Sequence, residues 1–375
     1  MCAGVDFFSR TAPLCSQATG NCSCKESAKG QTAGTPRLST DVFISPTQEL
    51  FMSDDAGRCL EDGWSRTAIS LNGPLEQRSG RFASFHLWMG IIALAAAFFL
   101  FQVLITPTLL IVQLGLAGEG MSVLQQLGTE GILASYTREL IISNSIGQLL
   151  GLALPAVLFA RLHTRRVWAF LRVRLPDGRL VGLGVLGILG LQPIVQWLVQ
   201  VNRALPLPEA LQAFEQTQLE MIRSVLESGM GVSFNLAMLA LVPGICEELL
   251  FRGYAQRQFE RWGGPASGIL LSGVLFGAYH LRPTQVLPLI VLGTYLAYLT
   301  WRSGSVVPAI VVHIVHNGLA VLVARYVRSV PEYDMQALEQ APMPWYVVVG
   351  GFVIVGSILY LLHPLAAQLR GDPGD

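Results

Sequence analysis

The chain has 375 residues, of which 52% are hydrophobic and only 13% are charged. Its mean hydropathy is +0.49, and its formal net charge is zero. The composition excludes an ordinary soluble globular domain, and the zero net charge gives no basic field that would attract nucleic acid. Several apolar stretches reach about 20 residues, enough to cross a hydrocarbon core about 30 Å thick. We therefore predict an all-α fold, a polytopic helical membrane bundle of about eight transmembrane helices.

The first predicted segment is a disordered N-terminal tail, residues 1–84, rich in Ser, Thr and Gly and without a periodic apolar pattern. Its start has no basic region followed by an apolar run, so it does not resemble a secretory signal peptide. Met52 is an alternative start, in which case the upstream stretch is an over-extension. Five of the six cysteines lie in this tail at spacings that match no zinc pattern: Cys2, Cys15, Cys22, Cys24 and Cys59.

The membrane domain is predicted over residues 85–365. Short loops separate its apolar runs, and Pro and Gly mark several of the turns. The eight predicted spans are His86–Leu109, Leu140–Leu162, Leu180–Val201, Val232–Tyr254, Gly264–Leu281, Val286–Trp301, Val306–Tyr326 and Trp345–Leu362.

The orientation follows from the distribution of arginine in the short loops. The loop between the second and third spans reads RLHTRRVWAFLRVR, and so strong a basic bias predicts that it is cytoplasmic. Both termini are then cytoplasmic as well, and we expect the protein in a bacterial inner (plasma) membrane. The segment Glu209–Leu226 has scattered apolar positions and is expected to form a helix lying on the outer interface.

Ionisable side chains are rare inside the predicted spans. A charge at the centre of a bilayer costs about 3 kcal/mol or more, so each such residue is a candidate for function. One group lies in the fourth span, one residue in the fifth and one group in the seventh. These candidates are Glu247, Glu248, Arg252, His280, His313 and His316, together with the polar but uncharged Asn317.

The spacing of these residues from the predicted turns places three of them at one depth. The turn Arg261–Pro265 joins the fourth and fifth spans, and Glu247 and His280 each lie about 16 residues from it. Residues equidistant from the turn of an antiparallel hairpin share a height, which here is about 10–15 Å below the inner surface. His313 follows the turn at Ser303–Gly304 by about ten residues, or about 15 Å, and joins the same layer.

Helical spacing separates the two adjacent carboxylates. Glu248 and Arg252 are four residues apart, so they lie on one helix face and can pair. Glu247 points about 100° away and is free for a partner on another helix. His313 and Asn317 are also four apart and face the same way, whereas His316 points elsewhere.

A carboxylate, two histidines and an asparagine in a half-buried cavity suit hydrolysis of a peptide bond. Glu247 could take a proton from a water held by His280, while His313 and Asn317 donate hydrogen bonds to the developing oxyanion. Phe276, one turn before His280, could pack beneath its ring. The alternative is a divalent metal such as zinc held by the histidines and a carboxylate. We favour a mechanism without a cofactor, because Asn is an unusual zinc ligand.

Three motifs, each in its own apolar span, resemble those of the type II CAAX prenyl endopeptidases and their bacterial relatives, the abortive-infection or CPBP family. They are Glu247-Glu248-x-x-x-Arg252, Phe276-x-x-x-His280 and His313-x-x-x-Asn317. The similarity covers about residues 230–325. It implies an intramembrane endopeptidase of the glutamate type, with Glu247 and His280 activating water. It also implies an oxyanion site at His313 and Asn317, with Glu248 and Arg252 in supporting roles.

The same residues also suit functions other than hydrolysis. A transporter, immunity factor or other non-enzymatic membrane protein could use the same polar cluster to bind an ion or ligand. The absence of His-Glu-x-x-His disfavours a zinc site of the site-2 protease type. For an endopeptidase, the expected partners are the lipid bilayer and a peptide or protein substrate, lipidated or not.

Overall fold

The structure is a computed structural model that describes residues 15–17, 22–24, 58–61, 68–76, 84–118, 135–204, 206–227, 229–330, 332 and 341–370. Two short antiparallel hairpins precede the helices: β1 (Cys15–Gln17) with β2 (Cys22–Cys24), and β3 (Arg58–Glu61) with β4 (Ala68–Leu71). The helices are α1 (Phe85–Leu116), α2 (Thr137–His163), α3 (Val167–Phe170), α4 (Gly178–Arg203), α5 (Glu209–Glu227), α6 (Val232–Tyr279), α7 (Val286–Ser303), α8 (Val307–Ser329) and α9 (Trp345–Arg370).

Seven helices of the described chain are long and apolar enough to cross a membrane. They are all of those above except the short α3 and the polar α5. One of the seven, α6, has 48 residues and contains a break at Gly264, whose φ of 83° and ψ of −179° are not helical. Glycine adopts such a positive φ without the steric cost that a Cβ would add. The prediction of an all-α membrane bundle is confirmed.

The two arms of α6, residues 232–263 (α6a) and 265–279 (α6b), fold back on each other at this break. The rings of Phe251 and Phe276 meet edge to face with centroids 5.2 Å apart. The Ser272 hydroxyl lies 3.5 Å from the Phe251 carbonyl oxygen. Such contacts between distant positions require an antiparallel hairpin, so α6 contributes two membrane segments. Counted in this way the described residues contain eight such segments, in agreement with the predicted number of about eight.

Glycines allow close approach of the helices around this hairpin. A Cβ added to Gly293 of α7 would lie 3.0 Å from the carbonyl oxygen of Gly273 in α6b. A Cβ on Gly244 of α6a would lie 2.6 Å from Cγ1 of Ile314 in α8. Small residues at helix contacts are typical of membrane bundles, where close packing supplies much of the association energy.

Four stretches of the spanning helices have the wider π-helical hydrogen bonding. Three of them, Phe99–Ile105, Leu149–Ala153 and Ala237–Leu241, are each followed by an α-helix with proline at its second position. Proline lacks the amide hydrogen that the preceding turn needs, so the backbone there widens. The fourth, Leu249–Ala255, has no such proline. It lies beside the candidate site, where π-helical turns are often found.

The amphipathic helix α5 ends at Glu227, one residue beyond the predicted boundary, and contacts the chain that follows α6. Glu215 of α5 is buried. Its carboxylate accepts hydrogen bonds of 2.6 Å from the Thr284 hydroxyl and 3.3 Å from the Thr284 amide. Arg282 lies 3.6 Å from the same carboxylate. These contacts tie α5 to the loop between α6b and α7.

Most of the predicted tail lies outside the described residues, so its disorder stays a prediction. Its segment 68–76 is described and lies against the ends of two helices. The amide of Gly73 donates to the His163 carbonyl at 2.9 Å, and the Thr164 hydroxyl donates to the Ser70 carbonyl at 2.7 Å. Ile69 is only 2% exposed. This segment is therefore packed onto the membrane domain.

Glu76 ends that segment in a buried polar cluster. Its carboxylate accepts a 2.6 Å hydrogen bond from His163 and two bonds of 2.8 and 2.9 Å from the Arg261 guanidinium. Burial raises the pKa of Glu76, but the hydrogen bonds and charges of His163 and Arg261 outweigh it and lower the pKa to about 2. His163 in turn lies 3.0 Å from the Tyr254 hydroxyl. The cluster therefore links the N-terminal segment to both α2 and α6a.

Candidate active site

The hairpin brings Glu247 of α6a next to His280, the residue after α6b. Nε2 of His280 lies 3.7 Å from Oε2 of Glu247. The His280 side chain keeps 27% of its surface exposed, and the Glu247 side chain keeps 14%. Oε2 of Glu247 is itself buried and has no hydrogen-bond partner among the described residues. The separation exceeds a direct hydrogen bond but suits two groups that share one water.

The backbone fixes which nitrogen of His280 faces this gap. Nδ1 lies 2.8 Å from the carbonyl oxygen of Phe276, and because a carbonyl only accepts, Nδ1 carries the proton. In the neutral ring, Nε2 is then an acceptor directed towards Glu247. The following residue, Leu281, has a φ of 50°, a conformation that costs a non-glycine residue energy and recurs at functional sites.

The second carboxylate, Glu248, has different partners. Its Oε1 accepts a 2.8 Å bond from Arg252 and another of 2.8 Å from Nδ1 of His313. Glu248 and Arg252 are both 0% exposed. The guanidinium donates a further 3.0 Å bond to the Gly293 carbonyl. This buried pair is thus neutralised internally, and it joins α6a to both α7 and α8.

The ring of Phe276 lies between the ionisable groups. It meets the His280 ring at 4.7 Å and the His313 ring at 5.8 Å, both edge to face. The Arg252 guanidinium carbon lies 4.3 Å from its centroid. Such a position suits a cation–π contact. Phe276 therefore lies between the partly buried Glu247–His280 pair and the fully buried ion pair, and it packs against both histidines.

His316 and Asn317, three and four residues after His313 along α8, have separate partners. The Asn317 amide donates to the Leu239 carbonyl of α6a at 3.2 Å, which uses one of its two hydrogens. His316 Nδ1 lies 2.9 Å from Nε2 of Gln192 in α4. Asn317 thus faces α6a like His313, whereas His316 faces α4.

The contact between Glu248 and His313 does not follow from sequence spacing, because 65 positions separate them. Helical periodicity predicts partners within one helix, and the turn arithmetic predicts depth but not rotation about each axis. The only sequence signal was the shared layer of Glu247, His280 and His313. Tyr279, whose buried hydroxyl lacks a partner among the described residues, carried no signal either.

No three His, Cys, Asp or Glu side chains of the described residues are grouped so that they could hold a metal ion. The histidines nevertheless present features of metal ligands. Both have Nδ1 engaged, His280 with a carbonyl and His313 with a carboxylate, which is the usual outer-shell arrangement.

The comparison with family models identifies the region that contains this geometry. Residues 230–319 match the family model "Type II CAAX prenyl endopeptidase Rce1-like". No curated protein and no solved structure matches the chain. This match confirms the predicted resemblance to the type II CAAX prenyl endopeptidases, and it is consistent with the predicted similarity to the CPBP family. The Rce1-like match and the apolar helices support a CAAX-type protease that is an integral membrane protein with a peptide substrate.

Proposed function

We propose that the chain is an intramembrane endopeptidase of the glutamate type, in which Glu247 and His280 activate the attacking water. The observation that carries this proposal is the gap of 3.7 Å between two acceptor atoms of the Rce1-like region. Glu247 is incompletely buried and its Oε2 has no protein partner among the described residues. Such a carboxylate is available for proton transfer.

The orientation of His280 supports a defined position for the water. With Nδ1 protonated, Nε2 accepts one hydrogen of a water while Glu247 accepts the other. A water about 2.8 Å from each acceptor fits this separation. Its lone pair then points away from both groups, towards a carbonyl carbon. Attack forms the C–O bond as Glu247 takes the proton, and the same proton passes to the amine nitrogen when the C–N bond breaks.

The second part of the mechanism is an oxyanion site formed by His313 and Asn317. Asn317 uses one amide hydrogen on Leu239 and has another to donate. His313 directs Nδ1–H at Glu248, so it can donate from Nε2 only as an imidazolium. Donors aimed at a developing oxyanion supply large rate effects. Glu248 and Arg252 are then positioning residues.

The substrate proposed is a membrane-associated peptide or protein, including lipidated C-terminal peptides, that reaches a cavity open to the cytoplasm. We further propose a bacterial inner membrane with both termini cytoplasmic, on the strength of the basic loop between α2 and α4. The alternative is a transporter or immunity protein that uses the cluster to bind an ion. A transporter needs no pairing of a water-activating dyad with an oxyanion site, which favours the hydrolase.

The test is cleavage of a peptide library, with prenylated and unmodified members, by the purified full-length protein. We expect cleavage by the wild type and none above background by Glu247→Ala or His280→Ala. Equal cleavage by all three proteins would refute the mechanism. We propose that no cofactor is needed, so activity should survive chelation and dialysis. Metal analysis could instead find stoichiometric zinc in the wild type and none in His280→Ala and His313→Ala. That result would refute the metal-free mechanism in favour of a zinc-dependent one.

A further inference from the structure

A second concave site lies away from the candidate active site, at the end of α2 and the start of α3. It is a surface cavity of about 580 Å³ lined mainly by basic and apolar side chains. Arg161, Arg165 and Arg166 contribute the charge, and Val157 and Trp168 contribute apolar walls. None of the described residues that line it is acidic. The cavity therefore collects three positive charges.

These three arginines differ from their neighbours in their pairing. Arg172 forms an ion pair with Glu260, and Arg179 donates to Asp177 at 3.0 and 3.1 Å. In the part of the chain that the structure describes, no hydrogen bond or ion pair joins the side chains of the three cavity arginines to another residue. Their charges have no partner in the described protein. A ligand of opposite charge would supply one.

The surface next to the cavity is apolar and exposed. Leu154, Leu158 and Leu162 recur every four residues along α2 and keep 44%, 54% and 38% of their surface exposed, respectively. This row faces outward on a candidate membrane span and runs up to the arginines. Trp168, which is 56% exposed, lies at the boundary, where indole rings commonly anchor helices at the membrane interface.

We propose that this cavity binds the phosphate of an anionic phospholipid, with an acyl chain lying along the leucine row of α2. Guanidinium groups bind phosphate oxygens through paired, charge-assisted hydrogen bonds. Clusters of arginine immediately outside a membrane helix attract anionic headgroups. The adjoining leucines distinguish this ligand from a soluble phosphate compound, which would leave the apolar row uncovered. The proposal is independent of the proposed protease activity.

The test compares phosphatidylglycerol with phosphatidylcholine bound to the detergent-purified full-length protein, quantified by native mass spectrometry. The triple variant Arg161→Gln/Arg165→Gln/Arg166→Gln removes the charges. At about the usual contribution of each basic residue near a surface, it should weaken phosphatidylglycerol binding about 100-fold and leave phosphatidylcholine unchanged. Arg179→Gln is the matched control, because it removes an exposed charge that does not line the cavity, and it should bind phosphatidylglycerol as the wild type does.

Two further measurements test the proposal independently of the triple variant. If the triple variant fails to fold, Arg165→Gln alone should still weaken phosphatidylglycerol binding about fivefold. Glycerol phosphate, which carries the headgroup chemistry without acyl chains, should not displace the bound lipid even in 100-fold excess. Displacement by glycerol phosphate would assign the site to soluble phosphates and overturn the proposal. An unchanged preference for phosphatidylglycerol in the arginine variants would also overturn the proposal. The arginines would then serve only to set the orientation of the protein in the membrane.

Discussion

Replacing Glu247 by Gln tests the proposed water activation with almost no change of shape. The amide keeps the size of the side chain but cannot take a proton, and loss of a general base typically costs about 10²–10⁴-fold in rate. Oε2 of Glu247 has no hydrogen-bond partner among the described residues, so the replacement breaks no protein hydrogen bond there. We therefore expect stability within about 1 kcal/mol of the wild type.

The adjacent residue supplies the matched control. Glu248→Gln makes the same chemical change one position along the helix, but in a pair whose two side chains are both 0% exposed. It leaves the Arg252 guanidinium buried without its counter-charge, a change that typically destabilises by about 3–5 kcal/mol. The two variants should thus separate: Glu247→Gln loses activity and keeps stability, whereas Glu248→Gln loses stability.

The assay measures initial cleavage rates on the best library peptide together with thermal unfolding of each purified variant. Rates should be compared at a temperature where both variants remain folded, so that a loss of folded protein is not mistaken for a loss of catalysis. The reasoning fails if Glu247→Gln cleaves at the wild-type rate. It also fails if the two variants are equally destabilised, because Glu247 would then be a structural residue like Glu248.

Three other predictions concern the partner, the packing and the N-terminal segment. His280→Gln should lower the cleavage rate by about 10²-fold or more with unchanged thermal stability; a wild-type rate would remove His280 from the mechanism. Gly244→Ala should lower activity and stability, because its Cβ would lie 2.6 Å from Ile314 Cγ1. A Cβ on Gly356 would have no neighbour within 4 Å among the described residues, so Gly356→Ala should be neutral in both assays. The folded pKa of Glu76, about 2 against an ordinary 4.5, stabilises the fold above pH 4.5, and this contribution is lost as the pH falls towards 2. Glu76→Gln should therefore cost about 3 kcal/mol in denaturant unfolding at pH 7 and progressively less below pH 4.5; a pH-independent difference would contradict this.

Composition and turn signals were sufficient to predict the membrane bundle and its hairpin. The break at Gly264 falls inside the predicted turn Arg261–Pro265, because Gly-Gly-Pro both permits positive φ and interrupts helical hydrogen bonding. The i, i+4 spacing predicted the Glu248–Arg252 contact, since that geometry is local to one helix. These features depend on neighbours in sequence, and the sequence contains them directly.

The site's remaining contacts depend on how each helix is rotated about its axis. Nothing in the periodicity of α8 indicates that Nδ1 of His313 meets Glu248, because apolar residues surround most faces of a membrane helix. The docking of residues 68–76 was also missed. That segment is short, and its attachment relies on the burial of Ile69 and Leu71, on backbone hydrogen bonds and on the partners of Glu76, which lie far away in sequence.

The close packing of α7 at Gly293 is connected to the arrangement of charges in the candidate site. The Arg252 guanidinium reaches the Gly293 carbonyl, and α7 comes this close to α6b at Gly293 because no side chain intervenes. That contact helps to hold the guanidinium, which can then neutralise Glu248 inside a fully buried pair. With Glu248 engaged by Arg252 and His313, Glu247 is left as the carboxylate that faces His280. The close approach at Gly293 therefore supports the different environments of Glu247 and Glu248, although this glycine lies two helices away along the chain.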